Sequence, residues 1–269
     1  MKLQSQDPFI LLNRDTDRVS TITLNRSADR NVLSAGMLDA LSRALDQIAK
    51  DDQTRVLIIN AMGPGYCPGH DLREINKHLG DEDSGRAFNT ALFNSCAKVM
   101  YQIRSLPQPV IASVHATAVA AGCELVATCD LAIASKEARF GVNGINVGLF
   151  CSTPAVALTR NINRKRAFEL LTTGRLIDAQ EALDIGLVNR VCSADKLADE
   201  VILLARTIAD KPLEALAIGK STFYQQISLA VEEAYPLAST AMVKNLNLTV
   251  AQEGILAFTE KRKPNWDPL

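Results

Sequence analysis

Apolar and polar positions along the first half of this chain alternate between two periods, and that change of period predicts its elements. Val19-Ser-Thr-Ile-Thr-Leu24 repeats every second residue, as a half-buried strand does, and Val56-Leu-Ile-Ile-Asn60 is a short apolar run of strand length. Between them Met37, Leu41, Ala44, Leu45 and Ile48 fall on one helical face behind Ser34, a good N-cap residue. A turn at Gly63-Pro-Gly65 follows, then a helix from about Ser84 to Arg104, a strand at Val110-Ile-Ala-Ser-Val114, a helix carrying Glu124, and a strand at Leu131-Ala-Ile-Ala134. Strands alternating with helices predict an α/β fold around a buried, largely parallel sheet. Asp178 to Ile185 reads as a short helix closed by Gly186, with a strand at Leu187-Val-Asn-Arg-Val191.

After Ser193 the pattern becomes helical almost to Phe258. Leu197, Val201, Leu204, Ala205 and Ile208 form one stripe, and Pro212 and Pro236 mark helix starts or breaks. The predicted organisation is an α/β core over residues 1–195 and a helical C-terminal unit over 196–269.

Bulk properties narrow the function classes. The chain has 269 residues, enough for a sizeable core, and its net charge of −1 gives no broad attraction to nucleic acid or anionic lipid. No apolar stretch approaches the roughly 20 residues of a membrane span. Met1 to Pro8 lacks the apolar core of a secretory leader and the Arg-rich look of a transit peptide. The six cysteines (67, 96, 123, 129, 151 and 192) are scattered, without a metal-binding or disulfide spacing. Reduced thiols, a cytoplasmic location and no metal site are expected.

Two segments carry candidate chemistry. In Tyr66-Cys-Pro-Gly-His-Asp-Leu72, Gly69 permits a tight bend that directs the His70 amide into a cleft; alternatively the segment is an ordinary strand-to-helix turn with Asp71 as helix cap. The second is Ala118-Val-Ala-Ala-Gly122, whose small residues let a ligand lie against backbone where a helix begins. Glu124 in that first turn is either a surface residue complementing the helix dipole or a base for proton transfer beside a carbonyl.

The order and spacing of these segments resemble the crotonase superfamily, the enoyl-CoA hydratase/isomerase family, over nearly the whole chain. Leu24-Asn-Arg-Ser-Ala-Asp-Arg-Asn-Val-Leu33 is similar to that family's L-N-R-P-x-x-x-N-A-L opening, and Tyr66 to Leu72 to its F-x-A-G-x-D-L loop. Gln108-Pro-Val-Ile-Ala-Ser-Val114 through Glu124 resembles K-P-V-I-A-A-V…G-G-G-C-E, and Ala257-Phe-Thr-Glu-Lys-Arg-Lys-Pro264 resembles a later signpost. The resemblance implies a superhelical spiral of ββα turns with a C-terminal helical trimerisation unit, assembled as a homotrimer or dimer of trimers. It implies an acyl-CoA thioester substrate, with coenzyme A as part of that substrate and no separate cofactor. The backbone N–H groups of His70 and Ala121 would form an oxyanion hole, and Glu124 would be the acid or base. Arg30 would lie along the CoA nucleotide, and Phe258 and Lys261 would reach into a neighbouring subunit's CoA pocket.

Two departures bear on the reaction. The family's G-G-G is Ala120-Ala121-Gly122 here, and Gly144 stands where hydratases carry a second glutamate. The following P-G-A-G-G is replaced by Cys151-Ser-Thr-Pro-Ala155. One carboxylate implies weak hydration and leaves two alternatives: a single-base isomerase or related enolate chemistry, and a non-catalytic acyl-CoA-binding protein. Cys151 reads as a core residue, His78 and His115 as structural or surface residues, and Trp266 as packing on the core.

Overall fold

A computed structural model describes residues 9–266. Its strands are β1 (Ile10–Arg14), β2 (Val19–Leu24), β3 (Val56–Ala61), β4 (Val110–Val114), β5 (Ala118–Val119), β6 (Leu131–Ser135), β7 (Arg139–Gly141), β8 (Ile177–Asp178) and β9 (Arg190–Cys192). Six of them form one sheet in the order β1-β2-β3-β4-β6-β9, parallel from β2 onwards, with β1 an antiparallel edge. The other three form a small sheet, β5-β7-β8.

The helices of the first half are α1 (Ala35–Ala49), α2 (Leu72–His78), α3 (Arg86–Ser105) and α4 (Ala121–Thr128). Then come α5 (Ser152–Asn161), α6 (Arg164–Thr173), α7 (Ala179–Asp184), α8 (Leu197–Ala209), α9 (Leu213–Gln226), α10 (Val231–Leu246) and α11 (Thr249–Thr259). Ser34 caps α1 as expected, its hydroxyl accepting from the Met37 amide, and the predicted α1 stripe is buried throughout.

The central strands are apolar on both faces because both are covered. Leu57, Ile59, Val110 and Ala112 point into a core shared with α1, α3 and α4. Val56, Ile58, Ile111 and Ile133 point the other way, against Leu197, Val201, Ala205 and Ala209 of α8. The apolar core thus extends through α8, and the helices that leave it begin at Pro212, the N-cap residue of α9.

Two expected boundaries differ. The strand at 187–191 is shorter and later, because Leu187 and Val188 turn back to close α7 on the Ala182 carbonyl and bury their side chains there. Pro236 neither starts nor breaks a helix; it lies in the second turn of α10. Trp266 packs against Gly254 of α11.

Helix α9 is tied to the core by a buried polar cluster. Lys220 Nζ donates to Asp130 Oδ2 at 2.6 Å and to the carbonyls of Ile103 and Gln108 at 3.0 Å. Asp130 also accepts from Tyr224 OH at 2.7 Å and from the Val110 amide at 2.7 Å. Lys220→Met keeps the volume but leaves a buried carboxylate short of its cation. We expect a stability loss of about 3 kcal/mol, read from chemical denaturation.

Candidate active site

The small-residue tract runs from a two-residue strand into a helix, with one strained position. β5 leads into Ala120, which has φ +50° and ψ −124° and is the N-cap residue of α4. That conformation suits glycine, and an alanine there is held by its amide bond to the Gly141 carbonyl at 2.9 Å and by the Glu124 amide on its own carbonyl at 3.1 Å. Gly122 is required by close approach: a Cβ there would stand 2.0 Å from the Cys67 carbonyl oxygen.

The His70 loop reaches the same place from β3. Asn31, buried at φ +64°, joins the loops by donating to the carbonyls of Met62 (2.9 Å) and Gly65 (3.0 Å) and accepting from the Arg26 amide. Gly69, at φ +91°, accepts from the Leu33 amide at 2.8 Å. A Cβ at Gly69 would lie 3.0 Å from the Ala121 nitrogen, so the loop touches the start of α4. Asp71 caps α2 by accepting from the Arg73 amide, as the reading of an ordinary turn expects, and the His70 amide has no acceptor among the described residues. The Ala121 amide has none either, as a first-turn N–H should not.

Glu124 is not a surface residue complementing a dipole. It is 4% exposed, and burial pushes its carboxyl up to about 7, with the hydroxyl of Thr153 drawing it partly back. Its Oε2 is buried with no hydrogen-bond partner among the described residues. Thr153, in the first turn of α5, is the residue that sequence reasoning passed over. Its only signal was that Ser-Thr-Pro fills the place of a glycine-rich segment.

The space beside Gly144 is closed. A Cβ on Gly144 would meet the Leu149 carbonyl oxygen at 2.5 Å and Cys151 Sγ at 2.8 Å. The loop is fixed there by the Leu149 amide donating to the Gly144 carbonyl at 2.9 Å. Cys151 is buried, and desolvation raises its thiol, so it is a packed thiol and not a thiolate.

The residues assigned to the cofactor portion lie elsewhere. Arg30 is exposed at φ +54°, with its stem beside Gly65, next to the Asn31 junction. Phe258 is 84% exposed at the end of α11 and Lys261 is exposed just after it, so within one chain neither packs around Glu124. His115 bonds the Gly63 carbonyl, and His78 bonds Asp81 and stacks on Phe88. A cleft of about 570 Å³ between the end of α3 and α9 is lined by Tyr101, Arg104 and Tyr224, not by Glu124. Among the described residues no cluster of His, Cys, Asp and Glu is placed to hold a metal, and no helix is long and apolar enough to cross a membrane.

Known proteins share this sequence pattern and fold. A profile described as "Enoyl-CoA hydratase/isomerase" matches residues 14–268. The human "Enoyl-CoA hydratase domain-containing protein 3, mitochondrial" is 46% identical over 253 residues, spanning 94% of this chain and 82% of that protein. A crystal structure of a Mycobacterium smegmatis enoyl-CoA hydratase superposes with a TM-score of 0.92 at 48% identity, covering 97% of this chain and all of that one. A "Trans-2-decenoyl-[acyl-carrier-protein] isomerase" of Streptococcus mutans is 32% identical over 267 residues, 96% of this chain and 97% of that protein.

These relatives correct the expectation of a cytoplasmic location. The human protein and its rat and mouse counterparts are named as mitochondrial, so the cytoplasmic expectation does not stand. Reduced thiols argue against an oxidising compartment but do not separate one reducing compartment from another. The segment Met1 to Pro8, on which the expectation of no leader rests, lies outside the described residues. The fold expectation stands, and by profile, identity and superposition this chain belongs to the enoyl-CoA hydratase/isomerase family, with the crotonase fold.

Proposed function

We propose that this protein acts on an acyl-CoA thioester, with the amides of His70 and Ala121 holding the thioester oxygen and Glu124 moving a proton at the adjacent carbon. The observation that carries this reading is a buried carboxyl with one oxygen unpartnered among the described residues, in the first turn of the helix whose leading amide has no acceptor among them either. Removing a proton beside a thioester creates an enolate, and each fixed donor aimed at its oxygen lowers the barrier by on the order of 3 kcal/mol. The N-terminus of α4 adds its partial positive charge.

The reaction is best read as single-base chemistry with weak hydration. Adding water across C=C needs one group to activate water and another to manage the proton at the α-carbon. Around Gly144 the chain offers the Leu149 carbonyl and a protonated thiol, neither of which is a base near neutrality. Moving a proton along an allylic system needs only one carboxylate, and the Streptococcus mutans relative bears the name of an isomerase.

Arg30 is assigned to the CoA nucleotide and Phe258 and Lys261 to the CoA pocket of a neighbouring copy. A homotrimer or dimer of trimers gives these residues, and the exposed Phe223, Ile227, Tyr235, Met242 and Leu246 of the C-terminal helices, something to cover. Coenzyme A enters with the substrate, and no separate cofactor is invoked.

Conversion of 3-enoyl-CoA to the conjugated 2-enoyl thioester, followed by absorbance, is the expected activity. Rapid hydration of 2-enoyl-CoA that needs Glu124 would overturn the single-base reading. Thermal stabilisation by CoA esters without turnover would make the protein a binder, and no binding would end the acyl-CoA reading. Gly144→Glu is expected to restore no hydration, because its Cβ has no room between Leu149 and Cys151, and to lower stability by about 2 kcal/mol in urea denaturation.

A further inference from the structure

We propose that the imidazole of His70 selects the acyl group: its Nε2 accepts a hydrogen bond from a hydroxyl carried on the acyl chain. This rests on the acyl-CoA reading above and names the class of acyl group that the site takes.

The tautomer is fixed by the neighbour. His70 Nδ1 lies 3.2 Å from the Leu33 carbonyl oxygen, which can only accept, so Nδ1 carries the proton. Burial lowers the tendency of this ring to take up a second proton, leaving Nε2 as a bare lone pair. That atom is buried and has no hydrogen-bond partner among the described residues. The ring's aromatic neighbour, Phe93 of α3, meets it edge-on with centroids 5.0 Å apart and has no polar donor.

Helix α3 links this lone pair to the reacting centre. Phe93 and Cys96 are three residues apart and therefore share a helix face. Phe93 touches His70, while the Cys96 thiol is raised by burial and by the charge of Glu124 nearby. Asn89, one turn before Phe93 on the same face, has a buried Oδ1 that also lacks a partner. Two buried acceptors, Asn89 Oδ1 on α3 and His70 Nε2 beside that helix, thus have no protein donor among the described residues, with Glu124 near the same helix.

Leaving a buried acceptor unpaired is costly, so the complement to this wall is a ligand that brings donors. A plain hydrocarbon chain would leave His70 Nε2 unsatisfied; a hydroxylated chain would not. The thioester oxygen is assigned to the amide of the same residue, which keeps the ring close to the first carbons of the acyl group.

The test is a binding panel of saturated acyl-CoA thioesters, matched in length and differing only in a hydroxyl at C3, C4 or C5, titrated by calorimetry. At one position the hydroxyl is expected to tighten binding by about tenfold, and His70→Phe, which keeps a ring against Phe93, is expected to reduce that preference to under about twofold. Nitrogen-15 NMR of the unaltered protein supplies a readout that does not depend on the variant's folding. The His70 Nε2 resonance should sit at its bare-acceptor position when free and shift on binding the hydroxylated ligand only. Equal affinity for plain and hydroxylated esters, or an Nε2 resonance already hydrogen-bonded to water and unchanged by ligand, would overturn the inference while leaving the acyl-CoA reading in place. Failure of every ester to bind would overturn both.

Discussion

Glu124→Gln is expected to lower turnover of an acyl-CoA substrate by about a thousandfold, within the usual span for loss of a general base. Glutamine keeps the shape and can still accept from Thr153, but it cannot take a proton from the substrate. In the native protein kcat/KM should rise with pH through about 7, where the buried carboxyl ionises, and then level off. The variant should lack that rising limb. A native profile that falls through the same range would mean that Glu124 works as an acid.

The same substitution should stabilise the fold in alkaline solution. Burial raises the carboxyl from 4.5 to about 7, so the folded chain holds a proton that the unfolded chain releases. Native stability is therefore complete below about pH 4.5 and declines as pH rises to about 7. Replacing the group with an uncharged amide should give a variant more stable than the native protein at pH 8, by up to about 3 kcal/mol, with the difference vanishing near pH 4. Urea denaturation at the two pH values measures it. A gain in stability paired with a loss of rate would mark a charge kept buried for chemistry.

Gly122→Ala should be at least as damaging, through packing. The added Cβ would fall 2.0 Å from the Cys67 carbonyl oxygen and 2.7 Å from its carbon. Neither atom is free to retreat, because that carbonyl accepts from the Val119 amide at 2.9 Å in the contact that seats β5. Relief requires α4 to move away from the Tyr66 to His70 segment, which parts the two proposed oxyanion donors. We expect a loss of about 3 kcal/mol in denaturation experiments and a rate loss of about a hundredfold in whatever remains folded. Gly69 offers an independent check on the other side of the same contact, since its φ of +91° and its 3.0 Å approach to the Ala121 nitrogen disfavour any side chain.

Much of the architecture is written in local pattern. Ser34 and the stripe behind it specify α1, the two-residue period specifies β2, and doubly apolar runs specify β3 and β4 as buried on both faces. Glu124, the His70 amide and the tract Ala118 to Gly122 were legible as candidates because small residues at set positions mark where backbone must come close to something, while the pairing of the His70 and Ala121 amides came from the family resemblance. The edge strand β1, the three-stranded sheet and helices α5 and α6 were not, since short or weakly amphipathic segments carry little periodic signal. Pro236 read as a helix boundary and is not one.

Tertiary structure decided the rest. A glutamate in a first helical turn looks the same in sequence whether it faces water or the interior, and only the packing of α3 and α5 over α4 places Glu124 inside. The closure at Gly144 depends on a carbonyl five residues away that folds back over it, and the proton on His70 Nδ1 depends on the carbonyl of Leu33, far off in the chain. Periodicity and caps act between near neighbours and survive in the sequence; burial, desolvation and the choice of tautomer come from atoms that only folding brings together.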